Sequence, residues 1–102
     1  MNAFGKFKDI KKLMELKKQA KKIQDELKKM IIEASEGLVT IKFNAEQQPQ
    51  SVEIHSENID AELKKQLEKD MVTAMTKGIK KSQEVAAQNM KGILGDLTSG
   101  LQ

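Results

Sequence analysis

Apolar residues recur at helical spacing in the first third of the chain. The series consists of Leu13, Leu16, Ala20, Ile23, Leu27 and Met30, with successive spacings of 3, 4, 3, 4 and 3 residues. Because an α-helix turns once in about 3.6 residues, these side chains share one side of a helix. We call the series the first apolar stripe and predict a helix over residues 6–30. The stripe fits a face packed on the core or a short coiled-coil seam.

The pattern then changes to period two. The alternating apolar positions are Val39, Ile41, Phe43, Val52 and Ile54. Such alternation is typical of half-buried strands, so we predict strands over about 37–44 and 50–56 with these residues facing the core. β-branched residues at 31–35 add a candidate third strand. The connections are short, so the sheet is expected to be antiparallel.

A second helix is predicted over residues 60–92. A repeat of every four residues comprises Leu63, Leu67, Met71, Met75 and Ile79, and the apolar side is extended by Val72, Ala74, Ala86, Met90 and Ile93. Asn58 and Asp60 are candidates for the N-cap, and Gly78 weakens the helical pattern only slightly. The glycine-containing segment 93–102 is expected to be a flexible tail. Residues 1–102 together form one α+β domain.

The two helices are too long for the sheet. Strands of six residues span about 20 Å, whereas helices of 25–32 residues span about 38–48 Å. The helices must therefore extend past the sheet and would expose apolar side chains there. Pairing two chains about a two-fold axis removes that exposure, so we expect a homodimer with protruding helical arms.

Residue types needed for several chemistries are missing. The chain has no Cys and one His, so disulfides and Cys-bound metals are excluded. His55 alternates with the predicted buried positions, so we expect it to be exposed and not a metal ligand. The serines lack a triad context, and the glycines match no phosphate-binding loop. We predict no enzyme activity, no catalytic residue, no cofactor, no metal and no small-molecule substrate. No apolar run approaches the ~20 residues that span a bilayer, so a cytoplasmic location is expected.

Charge is distributed unevenly along the chain. Residues 1–30 carry ten lysines and four acids, a net charge of +6, and residues 31–102 carry eight lysines and eleven acids, a net charge of −3. Eight lysines of the first helix are candidate phosphate contacts: Lys11, Lys18, Lys21, Lys22, Lys28 and Lys29 point away from the stripe, and Lys12 and Lys17 flank it. A second candidate group contains Lys77, Lys80 and Lys81. Both groups also fit a solvated surface, with the acids of the first helix forming ion pairs at i,i+3 or i,i+4.

The basic helix favours a polyanionic partner, because rows of ammonium groups neutralise phosphates and release counterions. Bidentate reading of guanine is mostly the work of Arg, and all 18 basic residues are Lys. We therefore expect little sequence preference on duplex DNA.

Several segments, in order and spacing, resemble the YbaB/EbfC family of bacterial nucleoid-associated proteins. The matching segments are FGK at 4–6, LM at 13–14, KQAKKIQDELKKM at 18–30, GLVTIKFN at 37–44, VEI at 52–54, LEKDMVTAM at 67–75, IKKSQE at 79–84 and the tail GILGDLTSGL. The resemblance implies an α-β-β-β-α protomer, in which two long helices flank a three-stranded antiparallel sheet, and a tweezer-like homodimer. It also implies DNA binding through helical surfaces, localisation to the nucleoid, and an effect on chromosome organisation and gene regulation. The chain departs from the family at three places. Ala45 stands where the family usually has Gly, and His55-Ser56 stands where Asp-Pro is common. Gly78 lies near a position that is usually Ala.

Two other functions fit the same residues. Phe4, Phe7, Ile10 and Leu13 form an apolar edge beside lysines, as in helices that bind membrane surfaces. The two helices could instead present a groove to a partner helix, which would make the protein an interaction adaptor. We favour duplex DNA over a membrane as the partner.

Overall fold

A computed structural model describes the backbone of residues 3–99 and the side chains of residues 9–92 and 95. The elements follow in the order α1 (Ala3–Lys29), β1 (Ile32–Glu36), β2 (Val39–Phe43), β3 (Pro49–Ile54) and α2 (Ala61–Ser99). The strands form one antiparallel sheet in the order β1-β2-β3. The predicted α-β-β-β-α arrangement with two long helices is confirmed.

The helices are longer than the sequence predicts. α1 starts at Ala3, and α2 continues to Ser99, past residue 93 where a flexible tail is predicted. Gly92 and Gly95 therefore lie inside α2. A glycine in a helix interior is about 1 kcal/mol less favourable than alanine, which does not end a helix by itself. Residues 100–102 lie outside the described part of the chain.

A tight turn joins β1 to β2. Glu36 pairs with Val39, so the connection consists of the two residues Gly37 and Leu38. Gly37 has a positive φ of 54°, which a glycine adopts readily at the first central position of such a hairpin. A Cβ at this position would lie 2.5 Å from Asp70 Oδ2 of α2. The glycine thus permits the turn and leaves room for the Asp70 carboxylate of α2.

The loop between β2 and β3 is attached to α2 by a buried hydroxyl group. Ser82 is fully buried, and its Oγ donates to the Asn44 carbonyl oxygen at 2.7 Å. The same Oγ accepts from the Gln47 backbone N–H at 3.0 Å and from Gln47 Nε2 at 3.2 Å. Asn44 in turn accepts from the backbone N–H groups of Glu46 and Gln48 through Oδ1. These bonds fix a loop in which Gln47 has a positive φ of 62°.

The core lies between α2 and the first two strands. β2 contributes Val39, Ile41 and Phe43, each at most 1% exposed, as its period-two pattern predicts. α2 contacts β1 and β2 through a buried line of residues, namely Leu67, Ala74, Gly78 and Ser82. Met75 and Ile79 belong to the predicted repeat of every four residues but are exposed. Four residues turn an α-helix by about 400°, so such a repeat advances by about 40° each time and leaves the buried side.

The third strand is left uncovered by α2. Ile41 pairs with Val52 and Val39 pairs with Ile54, so both β3 residues lie on the face of the sheet that carries the core. They are nevertheless 47% and 41% exposed, because α2 packs on the sheet mainly against β1 and β2. The predicted burial of Val52 and Ile54 is therefore wrong within one chain.

Over its described side chains, residues 9–29, α1 is held at its C-terminal end. Leu27 is buried, Ile23 and Met30 are partly buried against the core, and the Leu27 carbonyl accepts from the Ala45 backbone N–H at 2.9 Å. Residues 9–22 are all exposed. The chain extends over 73 Å with a radius of gyration of 20.7 Å, against about 13 Å for a compact domain of this length. The helices thus project past the sheet, as the length mismatch predicts.

Candidate nucleic-acid interface

Four lysines form a straight row along α1. We call Lys11, Lys18, Lys22 and Lys29, which are spaced by 7, 4 and 7 residues, the lysine row. At 100° per residue these spacings return each side chain to nearly the same side of the helix. All four are exposed, and the row is about 27 Å long at 1.5 Å per residue. The helix therefore presents one extended line of lysines, with the carboxylates of Glu15, Asp25 and Glu26 at neighbouring positions on the same side.

The packing of Leu27 fixes the direction in which the row points. Leu27 belongs to the first apolar stripe and is only 8% exposed, so the stripe faces the core at this end of α1. The lysine row lies about 160° around the helix from the stripe. Lys29 and Lys22, which lie two and five residues from Leu27, therefore face away from the body of the protein, and the rest of the row continues the same line. A flat or convex partner could reach all four ammonium groups at once.

Among the described side chains, the lysines of α1 form no ion pairs with acids of their own helix. Asp9, Glu15, Asp25 and Glu26 lie at spacings that would permit pairs, but among the described side chains no α1 lysine is within 4.0 Å of a carboxylate; the ion pairs involve Lys42 and Lys77 only. The predicted pairing at i,i+3 and i,i+4 is therefore absent from this part of the chain. The ammonium groups remain available to an external anion.

The other predicted α1 lysines surround the row. Lys21 and Lys28 lie beside it, and Lys17 lies on the same flank nearer the stripe, at helical positions 60–120° away. Lys12 lies on the opposite flank. All four are exposed. Lys18, Lys21, Lys22 and Lys29, with two acids, border an open depression of about 500 Å³. One helix forms its entire wall, so it is a surface and not an enclosed pocket.

The second predicted group of lysines is not brought to this surface. Lys77 forms an ion pair with Glu36, and Lys81 Nζ donates to the Glu33 backbone carbonyl at 3.4 Å. Both therefore lie against β1, whereas Lys80 is exposed and has no partner within the described residues. α1 makes no extended contact with α2 over the described residues. The two lysine groups occupy separate parts of the protomer.

The outer face of the sheet has a different chemistry. Lys42 Nζ lies 3.7 Å from Glu33 Oε1 and 4.0 Å from Glu53 Oε1, so its charge is offset by two carboxylates. Beside this cluster, Thr40 Oγ1 is 2.9 Å from Ser35 Oγ and 3.0 Å from His55 Nε2. His55 is exposed, as predicted. This face carries net negative charge and does not favour phosphate.

The described part of the chain was also compared with the requirements of a metal site and of a membrane-spanning helix. Over the part of the chain that the structure describes, no cluster of three His, Asp or Glu side chains is arranged to hold a metal ion. None of the helical segments described there combines the length and apolar character that a bilayer span requires. The side chains of Phe4 and Phe7, part of the predicted membrane-binding edge, lie outside the described residues.

Two long helices projecting from a small sheet, one with an outward row of unpaired lysines, define an elongated protein suited to a polyanionic partner. The chain belongs to the YbaB/EbfC DNA-binding family, whose model matches residues 4–97. The resemblance identified from the sequence is thereby confirmed. The family is described by DNA binding and not by an enzyme activity.

Bacterial relatives match over most of the chain. A nucleoid-associated protein of Prochlorococcus marinus subsp. pastoris is 36% identical over 101 residues, which cover 96% of this chain and 83% of the relative. A nucleoid-associated protein of Syntrophobacter fumaroxidans is 33% identical over 93 residues, covering 89% of this chain and 84% of the relative. An uncharacterized Helicobacter pylori protein shares the fold with a TM-score of 0.54 at 20% identity, over 83% of this chain and 96% of its own.

Proposed function

We propose that the protein is a homodimer that binds duplex DNA in the bacterial nucleoid, with low sequence specificity, through contacts between lysines and backbone phosphates. The observation that carries the proposal is the outward, unpaired lysine row of α1 in a member of a DNA-binding family. Lys17, Lys21 and Lys28 beside the row add further positive charge. Coating or bridging of DNA by such a protein would affect chromosome organisation and gene regulation.

The geometry of the row suits a duplex backbone. One strand of DNA rises about 3.4 Å per phosphate, so a 27 Å row spans about eight base pairs. Four ammonium groups over that length can each find a phosphate without reaching a base edge. Phosphate contacts position a protein on DNA and carry no direct sequence information. A chain whose basic residues are all Lys is consistent with this mode of binding.

The proposal predicts how the affinity for DNA falls with increasing salt concentration. If each row contributes four phosphate contacts, the slope of log K against log salt is about −3.6 per row, and about −7 when both rows of a dimer engage. A slope near zero would contradict binding by counterion release.

A pair of matched variants tests the site. Lys18→Glu/Lys22→Glu reverses two charges within the row, and Lys64→Glu/Lys65→Glu makes the same change of net charge at exposed positions near the start of α2. We expect the row variant to bind duplex DNA at least about tenfold more weakly at 0.1 M salt, since each lost contact removes a factor of about eight. The control should lose much less. The measurement is fluorescence anisotropy on several unrelated duplexes.

Three results would contradict the proposal. An equal loss in the control variant would mean that net charge, and not the row, governs affinity. Strong discrimination among unrelated duplexes would show sequence readout. Cosedimentation with anionic liposomes, combined with no binding to DNA even at low salt, would assign the basic helix to a membrane surface.

A further inference from the structure

Carboxylates interrupt the lysine row of α1. Glu15, Asp25 and Glu26 lie within about 60° of the row around the helix, at positions between its members. All three are exposed, and Asp25 and Glu26 border the same open depression as four of the lysines. Among the described side chains, none of the three carboxylates forms an ion pair with a lysine. They therefore present negative charge to any partner that approaches the row.

Positive and negative charges alternate along the axis of α1. At 1.5 Å per residue from Lys11, Glu15 lies at about 6 Å, and Asp25 and Glu26 lie at about 21 and 22.5 Å. The lysines beyond Lys11 form a middle group centred at about 14 Å and an end group centred at about 26 Å. The middle group contains Lys18, Lys21 and Lys22, and the end group contains Lys28 and Lys29. Positive charge thus comes in groups about 12–14 Å apart, with carboxylates in the gaps.

A DNA duplex presents its phosphates with similar gaps. The phosphates lie on two backbones, and the openings between the backbones are about 12 Å wide at the major groove and about 6 Å wide at the minor groove. A straight helix cannot follow a backbone that winds around the duplex, so it crosses backbones and grooves in turn. Lysine groups about 12–14 Å apart can contact successive backbones. The carboxylates between the groups then lie over a groove opening and not against a phosphate.

A single strand has no such gaps. Proteins that bind single strands combine a positive groove that tracks the backbone with aromatic side chains that stack on the bases. A strand laid along α1 would place phosphates against the carboxylates as well as against the lysines. The only aromatic residue with a described side chain is Phe43, which is buried in the core. Within the described residues, the lysine row therefore has neither continuous positive charge nor a stacking surface.

We infer that Glu15, Asp25 and Glu26 are specificity-determining residues, which make α1 select duplex DNA and reject single-stranded nucleic acid. The inference rests on the DNA binding by the lysine row in the proposed function. Phosphates of a duplex can reach the lysines without meeting the carboxylates, whereas those of a single strand meet both. Because like charges at close range repel each other even in water, the carboxylates weaken binding to a single strand most.

A variant in which the three carboxylates become amides tests the inference. The row-acid variant is Glu15→Gln/Asp25→Asn/Glu26→Gln. The matched control, Glu57→Gln/Glu62→Gln/Glu68→Gln, makes the same change of net charge at exposed positions outside α1. The probes are a fluorescein-labelled duplex and a labelled single-stranded oligothymidylate of the same length, both long enough to span the row. Affinity is measured by fluorescence anisotropy at about 0.1 M salt, and circular dichroism should show equal helix content in all three proteins.

We expect wild type to bind the duplex more tightly than the oligothymidylate. In the row-acid variant the affinity for the oligothymidylate should rise at least about tenfold, because each phosphate contact on a single strand is worth a factor of about five at this salt concentration. The affinity for the duplex should rise less than about threefold, since its phosphates avoid the carboxylates. The control should keep the wild-type ratio of the two affinities.

The outcomes separate the inference from the proposal beneath it. Equal gains on both probes in the row-acid variant would overturn the inference, as would the same change of ratio in the control. A wild-type protein that binds both probes equally well would also overturn it, while leaving DNA binding by the row intact. A wild-type protein that binds neither probe even at low salt would overturn the proposed function and the inference with it.

Discussion

Replacing Gly78 by alanine tests how closely α2 must approach the sheet. A Cβ on Gly78 would lie 2.1 Å from Phe43 Cε2, 2.5 Å from Cδ2 and 2.9 Å from Cζ. Carbon atoms in ordinary contact are about 3.5–4.0 Å apart, so the helix and the ring must separate by more than about 1 Å. Phe43 is 1% exposed and fully enclosed, so its ring cannot turn into solvent.

The expected change in the free energy of unfolding is the sum of two opposing effects. Overpacking a core costs about 1–3 kcal/mol, and the overlap with three ring atoms argues for the upper end. Alanine is about 1 kcal/mol more favourable than glycine in a helix interior, which offsets part of that cost. We expect Gly78→Ala to lower the free energy of unfolding by about 2 kcal/mol. For a domain of this size the melting temperature should fall by about 8–16 °C.

The assay is thermal unfolding followed by circular dichroism, at one protein concentration because dimerisation would shift the transition. Gly92→Ala is the matched control, since nothing lies within 4 Å of a Cβ at that position. This control should be as stable as wild type or more stable by up to about 1 kcal/mol. If Gly78→Ala is no less stable than wild type, then close approach to Phe43 is not the reason for this glycine.

Two further substitutions address the loop and the start of α2. Ser82→Ala leaves the Gln47 N–H groups without their buried acceptor. We expect the free energy of unfolding, measured in urea, to fall by about 1–3 kcal/mol. A fall of less than about 0.5 kcal/mol would mean that this hydroxyl group does not hold the loop. Asp60 Oδ1 accepts from the Leu63 backbone N–H at 2.8 Å, as an N-cap does, so Asp60→Ala should cost about 0.5–2 kcal/mol. Asp60→Asn should retain most of that stability, and an equal loss in both variants would argue against capping.

Local patterns predict the elements of this fold better than its packing. The alternation of Val39, Ile41 and Phe43 identifies a buried strand, because a side chain in the central strand has only two directions. The same alternation in Val52 and Ile54 predicts burial that the single chain does not provide. Whether a strand is covered depends on where α2 crosses the sheet, and no local spacing encodes that position.

In the second helix, too, local apolar spacing does not predict which residues are buried. Its apolar repeat predicts Met75 and Ile79 as core residues, whereas Gly78 and Ser82 occupy the buried line. A glycine and a serine give no hydrophobic signal, although they allow the closest approach and the hydrogen bonds to the loop. For the candidate site, the 7-4-7 spacing of the lysine row can be read directly from the sequence. The sequence also predicts that the row points away from the apolar stripe, but it does not show that only the Leu27 end of the described stripe is packed on the core.

The lysine contacts along β1 limit how far the sheet can grow. A sheet with two open edges would allow strands of a concentrated protein to join copy after copy into a fibre. Lys77 pairs with Glu36 and Lys81 donates to the Glu33 carbonyl, so lysines of α2 lie against β1 and oppose such addition there. Strand addition would then be open at the β3 edge only, and a sheet with one open edge cannot lengthen copy after copy.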